Sequence, residues 1–184
     1  MSNATNPAEQ TVPTADPDEV TSDLPTEIHG AVLVESHGQQ VLHPTREQYI
    51  GVVKDLLADG YEMCCDLTAV DYISFIGRPL PPEIHPQRFE VVVNLLSLAK
   101  HSRIRLRVQV PDDDATLDTL FDMHPGTEAM EREVYDMFGI TFNGHPDPTR
   151  ILMPEDWDGH PLRKDYSIGR IPVQFSSANP GTVS

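Results

Sequence analysis

Three carboxylates lie close together in the segment EREVYDMFG, at Glu131, Glu133 and Asp136. Paired carboxylates can act as general acid and base when one of them holds its proton near neutral pH. The surrounding sequence is strongly acidic, with Arg132 as the one basic residue between Asp112 and Asp136. We therefore interpret these carboxylates as an exposed, acidic helix face that forms an interaction surface, in preference to a catalytic pair.

Four side chains further along the sequence could bind a metal ion: His145, Asp147, Asp158 and His160. Their spacing matches no recognised ligand pattern, and each histidine precedes a proline, as is typical of turns. We favour structural or interface histidines. A free-standing hydrolase that used His145 and His160 would require a metal ion in the isolated chain.

The two cysteines, Cys64 and Cys65, are adjacent, so a disulfide between them would be strained, and they are too few for an iron–sulfur cluster. They lie in a predicted core strand, where cysteine usually packs as a small apolar residue. The sequence contains no GxSxG, Walker A or GxGxxG motif. We expect no metal, flavin or nucleotide bound by this chain.

Basic residues concentrate in two places. Arg103, Arg105 and Arg107 alternate with apolar residues along a predicted strand and so share one face of it. That stripe is either neutralised by the chain's own acids or docks an acidic partner. The second group lies near aromatic residues, a composition typical of interface anchors. It comprises Arg150, Arg163, Lys164 and Arg170, beside Trp157 and Tyr166.

The composition describes one domain of 184 residues with a net charge of −16 and 39% hydrophobic residues. Such acidity argues against nucleic acid as the main partner. No apolar run approaches the roughly 18 residues that a membrane-spanning helix needs, so we expect no membrane insertion. The N-terminus resembles no export signal, which makes the cytoplasm the default compartment.

The two ends of the chain differ from its middle. Residues 1–30 are acidic and proline-rich and contain no base, which predicts a disordered tail. Residues 154–184 show little periodicity but contain Trp157, Leu162 and Tyr166, which are too apolar for a solvated tail. We predict an extended arm there that lies along a partner.

The middle of the chain, residues 31–153, alternates helical and strand-like patterns. Thr45 and Gln48 form a capping-box pattern before an amphipathic helix that Gly60 ends. The order of elements predicts an α+β fold, a two-layer sandwich of helices on a mostly antiparallel sheet. The predicted strands are 31–34, 61–73, 88–98 and 103–110, the predicted helices are 45–60, 112–123 and 127–138, and the proline-rich stretch 77–86 is a predicted surface loop.

Several of these segments together resemble the C subunit of the respiratory NADH:quinone oxidoreductase, complex I. The resemblance covers about residues 60 to 175, and its final motif is highly specific. It rests on DLTAVDY (66–72), RFEVV (88–92), RIRLRV (103–108), EREVYDMFGI (131–140), GHPD (144–147), RIL (150–152) and GHPLRKDY (159–166).

The resemblance implies a non-catalytic, cofactor-free subunit of the peripheral arm of the complex, at the cytoplasmic face of the cell membrane. Its partners would be the quinone-site (D) subunit and the iron–sulfur (B and I) subunits. FMN, iron–sulfur clusters and quinone would belong to partner subunits. The alternative is a homologous subunit of a membrane-bound hydrogenase or of a related quinone-reducing dehydrogenase with another electron donor.

We expect the contacts between subunits to involve both basic groups, the helical acids and the final motif, and we expect the residues of helix 127–138 to form ion pairs with another chain or with the arm. The expected interface residues are Arg103, Arg105, Arg107, Glu131, Arg132, Glu133, Asp136, His145, Arg150, Trp157, His160, Arg163, Lys164, Asp165 and Tyr166.

Overall fold

The structure is a computed structural model, and it describes residues 26–75 and 77–167. Within those ranges the chain forms eight strands and two α-helices, with one 3₁₀ turn before the second helix. In chain order they are β1 (Glu27–Ile28), β2 (Ala31–Ser36), β3 (Gln39–His43), α1 (Arg46–Ala58), β4 (Met63–Asp71), β5 (Phe89–Ser97), β6 (Ser102–Val110), β7 (Thr116–Asp118), the 3₁₀ turn Pro125–Thr127, α2 (Glu128–Phe138) and β8 (Thr141–Asn143).

Six strands form one sheet in the order β1-β2-β3-β6-β5-β4, and all neighbours are antiparallel except β3 and β6. The predicted hairpin of β5 and β6 lies inside this sheet, with Val93 opposite Leu106. Strands β7 and β8 form a separate parallel pair. The prediction of an α+β fold with helices on a mostly antiparallel sheet is confirmed.

The hydrophobic core lies between the helices and one face of the sheet. Every second residue of β5 and β6 is buried, as the period-2 alternation of a strand requires. Arg103, Arg105 and Arg107 therefore point to the opposite, outer face. The buried core residues of β5, β6 and α1 include Phe89, Val91, Val93, Leu95, Ile104, Leu106, Val108, Val110, Tyr49, Val52, Val53 and Leu56.

Helix α1 begins and ends as its sequence predicts. The Thr45 hydroxyl accepts the Gln48 N–H at 3.3 Å, and the Gln48 side chain accepts the Thr45 N–H at 3.0 Å, which completes the capping box. At the other end Gly60 has φ +91°, a left-handed conformation that glycine adopts without steric cost.

The predicted helix over 112–123 is wrong, because the structure places β7 there instead. Asp114 accepts hydrogen bonds from Arg46 at 2.8 Å and from the Thr116 hydroxyl at 2.7 Å, and these bonds hold the chain in a non-helical turn. Thr116 then pairs with Thr141 of β8. The acidic run therefore binds α1 and does not begin a helix.

The predicted tail extends too far, because residues 26–30 belong to the fold. Glu27 and Ile28 form β1, which pairs with β2. Residues 1–25 lie outside the described residues. The sequence pattern also gives no indication of β3. A tight turn at His37 and Gly38, both with positive φ, joins β3 to β2.

Neither helix of the described ranges is long and apolar enough to cross a lipid bilayer.

Removal of the Thr45 cap tests how strongly α1 depends on it. We expect Thr45→Ala to lower the free energy of unfolding by about 0.5–2 kcal/mol, because the Gln48 N–H loses its acceptor. Thr45→Ser keeps the hydroxyl and should remain within about 0.5 kcal/mol of the parent chain. Urea unfolding monitored by circular dichroism measures both, and equal stability of the two variants would contradict the prediction.

Candidate functional site

Several of the side chains whose types could serve catalysis or metal binding converge on the C-terminal end of α2. The chain folds back there in a segment that we call the clamp, residues 150–165. A helix end leaves carbonyl groups without intrahelical partners. In this structure the carbonyl of Asp136 accepts from His160 Nδ1 at 3.0 Å, that of Met137 from the Leu162 N–H at 3.0 Å, and that of Phe138 from Arg163 Nε at 2.6 Å. The clamp therefore caps α2.

Asp136 is fully buried and is the centre of the clamp. Its Oδ1 accepts from Arg150 Nη1 at 2.6 Å, and its Oδ2 accepts the backbone N–H groups of residues 151–153 at 3.1, 2.7 and 2.8 Å. Burial alone would raise the pKa of this carboxyl, but the donated hydrogen bonds outweigh burial and lower the pKa below its ordinary value. Asp136 is therefore an ionised anchor at neutral pH.

Arg150 extends the same network to the middle of the clamp. Its Nη2 donates to the carbonyls of Trp157 and Gly159, each at 3.0 Å. Its guanidinium therefore links α2 to residues 157–159 and is mostly buried inside this chain. Arg150 acts as an internal connector.

Close packing at Gly139 also fixes the clamp. This residue ends α2 with φ +73°, and an added Cβ would lie 2.5 Å from His160 Nε2 and 2.8 Å from Arg163 Nη2. Glycine is required there both by the left-handed backbone and by the lack of space. The sequence predicts Gly139 as a helix end but could not reveal this contact, because Gly139 and His160 are far apart along the chain.

A second cluster holds the end of the clamp to the sheet. Arg88 donates from Nη2 to Asp71 at 3.0 Å and to Asp165 at 2.6 Å, and from Nη1 to Asp112 at 2.9 Å. Asp71 also accepts the Lys164 N–H at 2.9 Å. Burial would raise the pKa of Asp71, but the bonds from Arg88 and from backbone N–H groups lower it overall. Sequence reasoning missed Asp71 and Arg88 as site residues, because each stands alone at a strand end.

Glu131 does not lie on an exposed helix face. It is fully buried, and its carboxylate accepts the Leu120 N–H at 2.8 Å and the hydroxyls of Thr119 and Thr127. Burial raises its pKa. The interpretation of an exposed acidic surface is thus wrong for Glu131 and for Asp136, and right for Glu133, which is exposed.

Arg132 joins α2 to the loop before the clamp. It forms ion pairs with Glu128 at 3.1 Å and Asp147 at 3.3 Å, and it donates to the carbonyls of Thr149 and Arg150. Arg132 pairs with Glu128 and Asp147, and Asp136 pairs with Arg150, and all of these partners precede residues 154–184. Ion pairs of this helix with the arm or with another chain therefore stay a prediction.

The two histidines have separate structural roles. His145 Nε2 donates to the Glu128 carbonyl at 3.1 Å and its Nδ1 accepts the Asp147 N–H at 3.1 Å, whereas His160 binds the end of α2. Burial lowers the pKa of His160. Across residues 26–75 and 77–167 no three His, Cys, Asp or Glu side chains are arranged to hold a metal ion.

The arginine stripe is divided between two environments. Arg107 binds the buried carboxylate of Glu90 at 2.6 Å, and Arg105 donates to Asn94 at 3.0 Å, while Arg103 is exposed. The alternative in which the chain's own acids neutralise the stripe therefore describes Arg107. Arg103 has the exposure that docking would require.

The cysteine pair lies in β4, the edge strand of the sheet, where Cys64 packs against the hydrophobic core as predicted and Cys65 does not. Cys65 is exposed and Cys64 is half-buried, at a register shift between Cys64 and Asp66. Burial raises the pKa of Cys64 to about 11, so its thiol stays protonated at neutral pH. Cys64 thus lacks the lowered pKa of a reactive thiol.

The remaining side chains of the clamp and the adjoining Tyr166 differ in exposure. Trp157 and Tyr166 are half-buried, and Tyr166 packs on Gly159, where an added Cβ would lie 2.8 Å from the ring. Lys164 and Asp165 are exposed. The described part of the arm is thus attached to its own domain, and its residues 168–184, including Arg170, lie outside the described residues.

The clamp presents three large apolar side chains to solvent: Ile151 is 39% exposed, Leu152 59% and Leu162 46%. We call them the clamp apolar patch. The backbone N–H groups of Ile151 and Leu152 bind the buried Asp136, and that of Leu162 binds the α2 terminus. Their backbones are therefore fixed although their side chains are exposed, a combination typical of an interaction surface.

Comparisons with known proteins give a consistent result. The family model described as "Respiratory-chain NADH dehydrogenase, 30 Kd subunit" matches residues 42–171. The C subunits of NADH-quinone oxidoreductases are similar: that of Saccharopolyspora erythraea is 42% identical over 77% of this chain and 54% of its own length, and that of a Nocardioides species is 41% identical over 85% and 59%. The chain thus spans somewhat more than half the length of these relatives.

Two solved structures resemble the fold. A trypsin-resistant fragment of Nqo5 is 35% identical, with a TM-score of 0.57 over 64% of this chain and 89% of that fragment. A chain of a membrane-bound sulfane sulfur reductase, an archaeal respiratory membrane complex, has a TM-score of 0.65 over 84% of this chain and 88% of its own. Its identity is 18%, so this second likeness concerns the fold alone.

Substitution of Asp136 tests whether the clamp depends on its charge. We expect Asp136→Asn to lower the free energy of unfolding by about 3–5 kcal/mol, because Arg150 would remain buried without its counter-charge. Glu133→Gln, on the exposed face of the same helix, should change it by less than about 0.5 kcal/mol. Chemical denaturation measures both values, and similar stabilities for the two variants would show that the charge is dispensable.

The pH dependence of stability provides a second test of Asp136. Its folded pKa lies below the ordinary value of 3.8, so the stability it contributes is complete above that pH and is lost as the pH falls through the folded pKa. The difference in unfolding free energy between the parent chain and Asp136→Asn should therefore be constant from pH 7 to about pH 5 and shrink below about pH 4. A difference that stays constant at low pH would contradict this.

Proposed function

The chain belongs to the family of the respiratory-chain NADH dehydrogenase 30 Kd subunit, and on that premise we propose that it acts as the C subunit of an NADH-quinone oxidoreductase. In that role it is a non-catalytic part of the peripheral arm, at the cytoplasmic face of the cell membrane. The complex transfers electrons from NADH to a quinone and moves ions across the membrane.

The internal bonding of the reactive side chains supports a structural role. Asp136 accepts four hydrogen bonds from its own chain, Glu131 accepts three, and both histidines bind backbone groups of α2. A general acid or base must be within reach of a substrate. Asp136 and His160 are committed to holding the clamp, and Glu131 and His145 to bonds with residues 119–128 and 147. FMN, iron–sulfur clusters and quinone are assigned to partner subunits.

The observation that carries the proposal is the clamp apolar patch on an anchored backbone. Leu152 exposes more than half of its side chain although its N–H is 2.7 Å from the Asp136 carboxylate. A fixed backbone loses little conformational entropy on association, so the patch is prepared to bind another protein. We assign to it the quinone-site (D) subunit, with the iron–sulfur (B and I) subunits as neighbours.

Several charged side chains of α2 and of the clamp are also exposed and suit a polar rim. Glu133, Lys164 and Asp165 are exposed, whereas Arg163 is half-buried against Phe138. Interfaces between subunits combine an apolar centre with such a rim. Of the buried members of the predicted interface set, Asp136 acts only indirectly, by holding the clamp in place, and Glu131 binds residues 119, 120 and 127 of its own chain.

The sulfane sulfur reductase supports one alternative. Its chain shares the fold at a TM-score of 0.65, so the same architecture serves a respiratory membrane complex of another kind. A subunit of a membrane-bound hydrogenase or of a dehydrogenase with another electron donor would use the same patch with other partners. The identity of the subunits that co-purify distinguishes these cases.

Charge placed in the clamp apolar patch tests the proposal. We expect Leu152→Asp and Leu162→Asp, in a tagged chain expressed in its native host, to abolish co-purification of the quinone-site and iron–sulfur subunits from solubilised membranes. The melting temperature of the isolated chain should hardly change, because both side chains are exposed.

The matched control is Leu98→Asp at the β5–β6 hairpin, which is also exposed. It should leave co-purification unchanged. Full recovery of partner subunits with both clamp variants would overturn the assigned surface, and recovery of a hydrogenase or sulfur reductase in place of an NADH-oxidising module would overturn the assigned complex.

A further inference from the structure

A cavity of about 800 Å³ lies between the outer face of the sheet and residues 79–83 of the proline-rich loop. Its floor consists of cross-strand neighbours in β2 and β3, with Val32 opposite His43 and Val34 opposite Val41. Prolines and Leu80 form the facing wall. Cavities of this volume with mostly apolar walls and a few polar groups are typical of small-molecule sites.

His43 is a buried polar side chain that lacks a partner at this site. It is 3% exposed, and its Nδ1 has no hydrogen-bond partner among the described residues. Burial and then the charge of Arg107 lower its pKa to about 4, so the imidazole is neutral at pH 7. Buried polar atoms are almost always hydrogen-bonded in folded proteins, so His43, which lines the cavity, has hydrogen-bonding capacity that its own chain does not use.

The charges beside the cavity do not balance. Arg107 Nε binds Glu90 at 2.6 Å, while Arg78 Nε lies 3.9 Å from the other oxygen of Glu90, which Gln109 already occupies at 2.6 Å. Two guanidinium groups thus share one buried carboxylate, and Arg78 Nε is buried without a hydrogen-bond partner among the described residues. Buried charges in proteins are normally paired, so this cluster has an excess of one positive charge.

The excess positive charge of Arg78 and Arg107 also acts on the cavity. Arg107 lines the cavity, and at His43 its charge has a larger effect than the opposing charge of Glu90. Glu90 binds the Nε of Arg107, and the guanidinium has further N–H donors on its two Nη groups.

We propose that this cavity binds a small monocarboxylate with a linear apolar chain of medium length. The carboxylate of this ligand contacts Arg107 and His43. The apolar chain lies between the valines of β2 and β3 and the proline wall. The carboxylate supplies a second negative charge and an acceptor for the His43 ring N–H. This site lies on the outer face of the sheet and is separate from the clamp apolar patch.

The mouth of the cavity restricts which anions can enter. Glu27, Glu35 and Glu83 are exposed and line its rim. Like charges repel, so these residues disfavour phosphates and dicarboxylates, which would bring more negative charge past them. A monocarboxylate brings only one negative charge past these residues and is therefore repelled less. The burial of its methylene groups also stabilises the complex.

Titration of the full chain with octanoate and with 1-octanol at pH 7 tests the proposal. By calorimetry we expect octanoate to bind roughly tenfold more tightly or better, because only the carboxylate forms charge-assisted hydrogen bonds with Arg107. In His43→Phe, which keeps an aromatic ring and removes its nitrogens, the affinity for octanoate should fall several-fold while that for 1-octanol is unchanged. The matched control is His85→Phe, which lies in the proline-rich loop but outside the cavity lining. This variant should bind octanoate as the parent chain does.

A measurement on the unmodified chain removes any dependence on the folding of the variants. Nitrogen NMR of the His43 ring at pH 7, where octanoate is ionised, should show the ring nitrogen signals shift when octanoate binds, because the carboxylate accepts a hydrogen bond from the ring N–H. Equal affinity for octanoate and 1-octanol, no binding of either, or unchanged His43 ring signals at saturating octanoate would each overturn the proposal.

Discussion

The buried carboxylate of Asp136 is the interaction on which the shape of the C-terminal part of this protein depends. One oxygen binds Arg150, and the other accepts three successive backbone N–H groups. A carboxylate can be buried at low cost only when it is both paired and hydrogen-bonded, and Asp136 satisfies both conditions through residues that follow it in sequence. The helix and the segment after it therefore form one structural unit.

A stretch without regular secondary structure gains order from this arrangement. Its polar backbone groups are satisfied by the end of α2, by Arg150 and by the Asp71–Arg88 pair, in place of a helix or a sheet. The same bonds hold Leu152 and Leu162 with their side chains in solvent. Residues whose types suggest catalysis in the sequence, Asp136 among them, thus hold exposed apolar side chains in position.

The two faces of the sheet have different chemistry. One face packs against α1 and α2 through an apolar core, and the other carries Arg107 and Gln109 beneath a proline-rich loop. Two arginines compete there for Glu90. An acidic chain of net charge −16 therefore contains a local positive field, which the overall composition conceals.

Helices α1 and α2, the β5–β6 hairpin and the α+β class could all be predicted from the sequence, because they depend on local periodicity and on caps such as Thr45 and Gly139. A run of motifs in the sequence also indicated the family. Residues 112–123 were misassigned, since acids before an apolar stretch favour a helix locally, whereas the pairing of β7 with β8 is a contact between distant residues.

Which charged residues are buried depends on the tertiary structure. Glu131, Glu133 and Asp136 are alike in sequence, yet the first and last are buried and the middle one is exposed. The difference depends on donors from Thr119, Leu120 and residues 150–153, whose approach follows from the packing of separate segments. Periodicity reports which side of a helix a residue occupies, but the partners that make burial of a charge possible are set by the fold as a whole.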